Sequence, residues 1–295
     1  MGGPAIVTDS ASDIPPEVAA RHGIAVVPLI TNFGNDSYLV GRDLSAGEFW
    51  ARLTSPGAPF PTTAAAAPGA FQESYEAPFQ DGADGVVAIH VASTLSGTMK
   101  AAQVARDALA HREIHLIDSW SASGGTGLLA LLAADLRDQG LSARDIAATV
   151  SARIGDLRLY VVVETLEYLR RGGRISGPQA AIGTLLSVKP IITIGDGKVE
   201  ALERVRTRGK ARERLLELLT TGPAERVIVL HGLAPDVDDF KADLLDRLPG
   251  GVPEDRVVTS LIGASVGTHL GPGCVGAAVL LSQTPGATIA NPTEV

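Results

Sequence analysis

The run GVVAIHVASTLSGT, residues 85–98, constrains the fold of this chain more than any other stretch. Residues 85–91 form a short apolar run rich in β-branched side chains, which is typical of a strand buried on both faces of a parallel sheet. Apolar residues then recur at helical spacing from Ala101 to Ala108. A strand followed by a polar turn and a helix is the repeating unit of an α/β fold.

The turn between this strand and helix carries four hydroxyl side chains and a glycine, in the order Ser93, Thr94, Ser96, Gly97 and Thr98. Free backbone N–H groups, the helix dipole and hydroxyl donors together suit an anion. A simple helix cap explains the turn equally well. The turn lacks the lysine of a P-loop and the glycine spacing of a dinucleotide site, which disfavours nucleotide binding.

The whole first half of the chain alternates short apolar strands with helices, so we predict a Rossmann-like, mostly parallel α/β sheet. Its predicted strands include residues 5–8 and a single strand over residues 24–31. A Pro-, Ala- and Thr-rich connector, residues 55–69, shows little helix or strand signal. Three predicted strands end in polar loops, which converge at one edge of such a sheet. The acidic residues in these loops are candidates for an acid, a base or a metal ligand, although capping is their commoner use. These residues are Asp9, Asp13 and Asp118.

The second half of the chain has a different pattern. A Gly-Asp-Gly turn at residues 195–197 joins two alternating runs and predicts a hairpin, and a helix is expected over residues 178–187. Further strands and helices indicate a mixed α+β unit. We therefore predict two domains: an N-terminal α/β domain over residues 1–157, a C-terminal α+β domain over 158–285, and a tail over 286–295.

Composition excludes several classes of protein. The net charge of −8 argues against general nucleic-acid binding, which requires a basic surface. A single cysteine, Cys274, excludes a disulfide framework and a multi-cysteine metal site, and fits a reducing compartment. The N-terminal run has no basic region followed by an apolar one, and the longest apolar run, residues 128–134, is far too short to span a membrane. We expect a cytoplasmic protein without a transmembrane segment.

The run GTHLGPG, residues 267–273, holds His269 in what we predict to be a tight loop. A histidine in such a loop can bind an anion, act as a base or bind a metal, whereas the simplest interpretation is a surface side chain in a turn. A metal site is disfavoured because no second His or Cys lies at ligand spacing, although His231 could approach in three dimensions. No pairing of a nucleophile with a base is apparent, so we assign no catalytic residue.

A basic segment extends from Glu164 to Arg214, with 11 Lys and Arg against 6 Asp and Glu, a local charge of +5. A solvated helix face and a docking surface for an acidic partner or a phosphate explain this density equally well.

Eight short runs, read together, resemble the DegV family of fatty-acid-binding proteins. They are TDSASDIP, FPTT followed by PG, STLSGT, IDS, TLEYLRRGGRIS, LLSVKPI, RVRTRGKA and GTHLGPG, in that order, and they extend from Thr8 to Gly273. One feature departs from the family pattern. After the paired threonines the family usually carries Ser-Gln-Pro-Ser, whereas this chain has four alanines, Ala64 to Ala67, and so lacks side-chain donors there.

The resemblance implies a two-domain protein that binds a long-chain fatty acid, such as palmitate or oleate, in a tunnel between the domains. It implies no cofactor, no metal and no catalysis by this chain. By similarity, the fatty-acid carboxylate contacts Thr63, Ser93 and His269, with Thr62 and Ser96 as close neighbours.

The resemblance also implies a partner. Members of the family serve as the binding subunit of bacterial fatty acid kinase, which phosphorylates the bound carboxylate to an acyl phosphate with ATP. The basic residues expected to dock that kinase are Arg171, Arg174, Arg204 and Arg206. Two alternatives stay open at this point: a carrier of another lipid carboxylate, and a phosphotransfer enzyme that uses His269.

Overall fold

The computed structural model describes residues 2–175 and 188–283. Its first half contains β1 (Ala5–Asp9), α1 (Pro16–Arg21), β2 (Ile24–Val27), β3 (Ile30–Phe33), β4 (Asp36–Leu39), α2 (Ala46–Leu53), β5 (Thr62–Ala64), α3 (Pro68–Gln80), β6 (Val86–His90), α4 (Thr98–Ala108), β7 (Ile114–Asp118), α5 (Gly124–Asp138) and α6 (Ala143–Ala152). The second half contains β8 (Leu157–Val162), α7 (Glu167–Arg171), β9 (Lys189–Gly195), β10 (Lys198–Val205), α8 (Arg208–Leu219), β11 (Ala224–His231), α9 (Val237–Arg247), β12 (Val257–Leu261), α10 (Ala264–Leu270) and β13 (Val275–Leu281).

The first sheet is parallel throughout and has the strand order β2-β1-β6-β7. All five residues of β6 are buried, as expected for a strand covered by helices on both faces. The loops that follow β1, β6 and β7 therefore lie along one edge of the sheet. This arrangement confirms the predicted α/β class.

The second sheet has six strands in the order β10-β9-β8-β13-β11-β12 and is mixed, because only β11 and β12 pair in parallel. The predicted hairpin at residues 195–197 joins β9 to β10. One face of this sheet packs against α8 and α9 around Leu215, Leu216 and Phe240. The fold thus consists of a parallel sheet and a separate mixed sheet, as the fold-class prediction stated.

Helix α5 lies between the two sheets. Its first eleven residues, from Gly124 to Ala134, are all buried, and it contacts β1 and β6 on one side and β8, β11 and β13 on the other. The backbone approaches its neighbours closely at Gly127, where an added Cβ would lie 2.7 Å from the carbonyl oxygen of Ser12. A buried helix without side-chain bulk at its N-terminal end therefore joins the two halves of the molecule.

Three local predictions need correction. Residues 24–31 form two strands, because Pro28 cannot donate a ladder hydrogen bond and the chain leaves the parallel sheet there. β3 instead pairs with β4 and β5 in a small antiparallel sheet. The connector that was expected to be irregular up to Phe71 contains β5, and α3 already begins at Pro68.

The third correction concerns His269, which lies on helix α10 and not in a tight loop. Packing stabilises this short helix in spite of its central glycine, because Gly267 lies against the rings of Phe49 and Trp50 of α2. The Trp50 indole N–H also donates to the carbonyl of Ile262, just before α10, at 2.8 Å.

The proposed domain boundaries stay a prediction. β8 begins at Leu157 and belongs to the second sheet. The helix predicted over residues 178–187 and the tail over residues 286–295 lie outside the part of the chain that the structure describes.

The close approach at α5 predicts the effect of adding one methyl group. Gly127→Ala should lower the free energy of unfolding by about 1–3 kcal/mol, because the new Cβ would overlap a backbone carbonyl that cannot rotate away. Gly209→Ala is the matched control, since Gly209 is also helical and has no atom within 4 Å of its Cβ position. That control should stabilise the protein by up to about 1 kcal/mol. Urea unfolding of both variants measures the difference, and equal stabilities would show that α5 is loosely packed.

Candidate functional site

A cavity of about 280 Å³ lies between the two sheets, at the N-terminal end of α5. The loops after β1, β6 and β7 of the first sheet form one side of the cavity, and β8, β9 and β10 of the second sheet form the other. Most of the lining is apolar, and polar side chains come from β5, β9, α10, the loops after β6 and α7, and the residue before α5. The lining residues that carry the following argument are Thr63, Ser96, Leu159, Arg174, Ile194 and His269.

Strand β5 brings Thr63 into the cavity. Successive side chains of a strand point to opposite faces, so Thr63 lines the cavity while Thr62 is exposed on the other face. The Thr63 Oγ1 lies 3.1 Å from the Nε2 of His269, 206 residues further along the chain. The predicted pairing of a threonine from FPTT with the histidine of GTHLGPG is thus present in the fold.

His269 is 9% exposed. Its Nδ1 is buried, with no hydrogen-bond partner within residues 2–175 and 188–283, and it lies against the backbone of Gly172, where an added Cβ would be 2.1 Å away. Burial lowers the pKa of His269 to about 3, and the positive charge of Arg174 acts in the same direction. The imidazole is therefore neutral at physiological pH and can donate one N–H.

Arg174 lines the same cavity and is half-buried. Its Nη1 donates to the carbonyl of Gly172 at 2.6 Å, and its Nε donates to the carbonyl of Leu95 at 3.3 Å. Burial lowers the pKa of this guanidinium from its usual value. The structure places this side chain beside His269, where it supplies positive charge to the cavity, and the docking role expected for Arg174 stays a prediction.

The two serines of STLSGT occupy different environments. Ser96 lines the cavity, and its Oγ accepts the backbone N–H of Thr98 at 3.2 Å. Ser93 is exposed and is not among the lining side chains described, and its backbone N–H donates to the carboxylate of Asp118 at 3.3 Å. The structure therefore brings together Thr63, Ser96, Arg174 and His269.

Two of the four alanines that depart from the family pattern, Ala64 and Ala65, line the cavity. Alanine at these two positions supplies no side-chain hydrogen-bond donor next to Thr63. The hydrogen-bond donors near the histidine are consequently hydroxyls, the imidazole and the guanidinium, without help from the segment that follows β5.

Ser265 also lines the cavity, and sequence reasoning missed it. Its Oγ lies 2.9 Å from the Oγ of Ser10, which in turn accepts the backbone N–H of Leu29. Ser265 precedes His269 by four residues, a spacing that places both on one face of a helix. The expectation of a loop at GTHLGPG concealed this relationship.

The acidic residues after the strands act as local hydrogen-bond acceptors. Asp9 accepts the N–H groups of Ala11 and Val91 and pairs with the buried imidazole of His90 at 3.0 Å. Asp118 accepts the N–H groups of Ser93 and Trp120. No group of three or more His, Cys, Asp or Glu side chains within the described ranges is arranged to hold a metal ion.

The Asp13 side chain connects the N-terminal half of the chain to the C-terminal half. Its carboxylate accepts the Gly263 N–H at 2.8 Å and the Ser123 hydroxyl at 2.6 Å, so it connects the loop after β1 to the start of α10 and to α5. Burial raises the pKa of Asp13 to about 7, although both of these hydrogen bonds favour the ionised form. Asp13 therefore holds the start of α10, the helix that carries His269, in place.

The remaining basic residues divide into paired and unpaired sets. Arg208 binds Asp236 and Glu164, and Arg214 binds Glu203 and Glu217, so these charges are compensated within the chain. Three exposed arginines pair with no acidic side chain in the described part of the chain: Arg171, Arg204 and Arg206. The guanidinium of Arg171 instead stacks on the ring of Phe60 at 3.8 Å.

This geometry suits one anionic group at the polar end of an apolar cavity. A buried carboxylate requires hydrogen-bond donors, and the cavity is lined by the hydroxyls of Thr63 and Ser96 among others, by a neutral imidazole and by a guanidinium. Among the helices described, none is long and apolar enough to cross a membrane.

Comparison with known proteins identifies relatives over nearly the whole length. The model of the DegV family, described as an uncharacterised protein family, matches residues 4–282. A DegV domain-containing protein of Caldanaerobacter subterraneus is 38% identical over 275 residues, covering 92% of this chain and 96% of the relative.

Two solved structures share the fold. A DegV family protein from Thermus thermophilus, described with its fatty acid binding, superposes with a TM-score of 0.84 at 33% identity and covers 96% of this chain and 100% of its own. DegV of Bacillus subtilis, described as a fatty acid binding protein, gives a TM-score of 0.83 at 32% identity with the same coverage.

Burial of His269 predicts a pH dependence of stability. The folded-state pKa of about 3 lies below the usual 6.5, so on acidification the unfolded chain takes up a proton before the folded protein does, and stability falls. Between about pH 7.5 and about pH 5.5, the wild type should lose about 1.4 kcal/mol relative to His269→Gln. Urea unfolding of both delipidated proteins at each pH measures this loss. A constant difference would mean that His269 titrates near its usual value.

Proposed function

The chain belongs to the DegV family, and on that premise we propose that it binds one long-chain fatty acid between its two domains without catalysing a reaction itself. The observation that carries the proposal is the Thr63–His269 pair beside Arg174 at the polar part of an otherwise apolar cavity. Fatty acid binding by the related proteins from Thermus thermophilus and Bacillus subtilis supports it.

The proposed head-group site consists of Thr63, Ser96, His269 and Arg174. Each hydrogen bond to a charged group contributes on the order of 1.5–3 kcal/mol, so these four donors together offset much of the cost of burying a carboxylate. Each methylene of the tail adds roughly 0.8 kcal/mol when it is buried. The tail therefore supplies most of the affinity, and the head-group residues fix the orientation of the ligand.

The second part of the proposal concerns a partner. We assign to a separate cytoplasmic kinase the ATP-dependent phosphorylation of the bound carboxylate, and to this chain the presentation of that carboxylate. Three exposed arginines without acidic partners in the described ranges support a docking role: Arg171, Arg204 and Arg206. Exposed charges of this kind steer association with an acidic surface and are screened by salt.

Native mass spectrometry of the protein purified from bacteria tests the first part. We expect an added mass that matches a fatty acid, and uptake of labelled palmitate or oleate after delipidation. Failure of both would refute fatty-acid binding. Incubation of the protein alone with ATP and fatty acid tests the competing phosphotransfer function, and acyl phosphate formation without a second protein would favour that enzyme.

Two matched pairs of variants test the head-group site. Thr63→Val and Ser96→Ala should weaken fatty-acid binding by roughly 10- to 150-fold each, because each removes a donor to a buried charge. Thr62→Val and Ser93→Ala are the controls, since these neighbours are exposed and are not among the lining residues described. Fluorescence displacement with delipidated proteins measures the dissociation constants. Equal affinities within each pair would remove these two hydroxyls from the site.

A further pair tests the docking surface. Arg171→Ala combined with Arg204→Ala should reduce kinase-dependent acyl phosphate formation and its sensitivity to salt, with fatty-acid affinity unchanged. Arg214→Ala is the control, because Glu203 and Glu217 already compensate this charge. A loss of fatty-acid uptake in the double variant would instead assign a structural role to these arginines.

A further inference from the structure

Two cavities of this protein share one wall. A second cavity, of about 290 Å³, lies next to the first, and Leu159, Thr193 and Ile194 line both. We call these three residues the partition. Much of the remaining lining of the second cavity is polar and includes Ser119, Ser121 and Arg158, and none of the four proposed head-group residues lines it. The partition therefore forms part of the wall of the first cavity and contains none of the head-group residues.

The strand register explains how the partition is built. β8 and β9 are antiparallel, with Val161 opposite Ile192 and Tyr160 opposite Thr193. The same register places Leu159 opposite Ile194, one step past the end of the ladder. Alternate residues share a face, so Val161 and Ile192 form an inner pair, and Leu159 and Ile194 form an outer pair on the same side. The inner pair lines the first cavity alone.

Contacts on both sides hold the partition in position. The Thr193 hydroxyl donates to the carbonyl of Leu159 at 2.9 Å, which ties β9 to β8. The turn after β9 is held by the Thr94 hydroxyl, which donates to the carbonyl of Gly197. The ring of Trp120 also packs at this turn, since a Cβ at Gly197 would lie 3.2 Å from its Cε3. Ile194 is thus fixed close to an anchored turn.

From this arrangement we infer that Leu159 and Ile194 set the length of the acyl chain that the protein accepts, by closing the tail end of the first cavity. The inference rests on the proposed function. Each further methylene strengthens binding by roughly fourfold only if it is buried, so a chain that reaches the partition gains nothing from additional carbons. Shortening either side chain enlarges the first cavity at the partition and makes room there for additional methylenes of a longer tail.

Competition between palmitic acid and arachidic acid, which is longer by about four methylenes, tests the inference on delipidated full-length protein. Ile194→Ala and Leu159→Ala should each raise the preference for arachidic acid by roughly tenfold or more over wild type. Ile191→Ala is the matched control, because it removes the same atoms from the opposite face of β9, lines neither cavity and should leave the preference unchanged within roughly threefold. Extraction and mass analysis of the bound acids measures the ratio.

Ile194→Phe completes the design, because a larger side chain should shift the preference toward acids shorter than palmitic acid. Ile194 is only half-buried on a hairpin, so both of its variants are expected to fold even if Leu159→Ala does not. An unchanged ratio in Ile194→Ala and Ile194→Phe, with normal uptake by wild type, would overturn the inference alone. Absence of uptake by the wild-type protein would overturn the proposed function and the inference with it.

Discussion

Burial of helix α5 between the two sheets is the constraint on which the rest of the structure depends. Its residues from Gly124 to Ala134 are all buried, so both sides of the helix must find apolar partners. The parallel sheet supplies one side and the mixed sheet the other, through Ile228 and Ala278, whose Cβ atoms lie close to Gly124. Small residues at the start of the helix let both sheets approach its backbone. This sandwich fixes how the two halves of the chain face each other.

The cavity follows from the same arrangement. The loops at the carboxyl ends of the parallel strands meet the mixed sheet at the N-terminal end of α5, where the sheets no longer have a helix between them. The apolar faces of β8 and β9 line the space, and polar groups reach it from β5 and α10. Asp13 accepts a hydrogen bond from the start of α10 and so connects this helix to the loop after β1. The position of His269 on α10 therefore depends on this contact between the two halves of the chain. A neutral imidazole next to a guanidinium then makes the polar part selective for anions.

Sequence reasoning reached the class of the fold and the two motifs that meet, because both depend on local patterns. The all-buried run of β6 predicts a parallel strand, and the Gly-Asp-Gly turn predicts the hairpin of β9 and β10. The Thr63–His269 contact joins residues 206 positions apart, and only the resemblance to a known family paired them in advance. The choice between Ser93 and Ser96 as carboxylate ligand stays a prediction, and the sequence could not tell that Ser96 lines the cavity while Ser93 is exposed, since both hydroxyls lie in one short loop. The position of Arg174 in the cavity was also beyond local sequence, because a charged side chain in a basic run is usually solvated and its burial beside His269 comes from packing of α7 on α10.

The sequence by itself determined the alternation of strands and helices, the hydroxyl-rich turn after β6, the absence of a nucleotide-binding motif and the excess of basic residues between Glu164 and Arg214. These properties are local, because hydrophobic periodicity and turn chemistry act over a few residues. Only the tertiary structure decided which hydroxyls share a cavity with the histidine, that this histidine is on a helix and neutral, and that Leu159 and Ile194 separate two cavities. These properties arise from contacts between distant segments, where burial and strand register, and not local pattern, set the position and charge of each side chain.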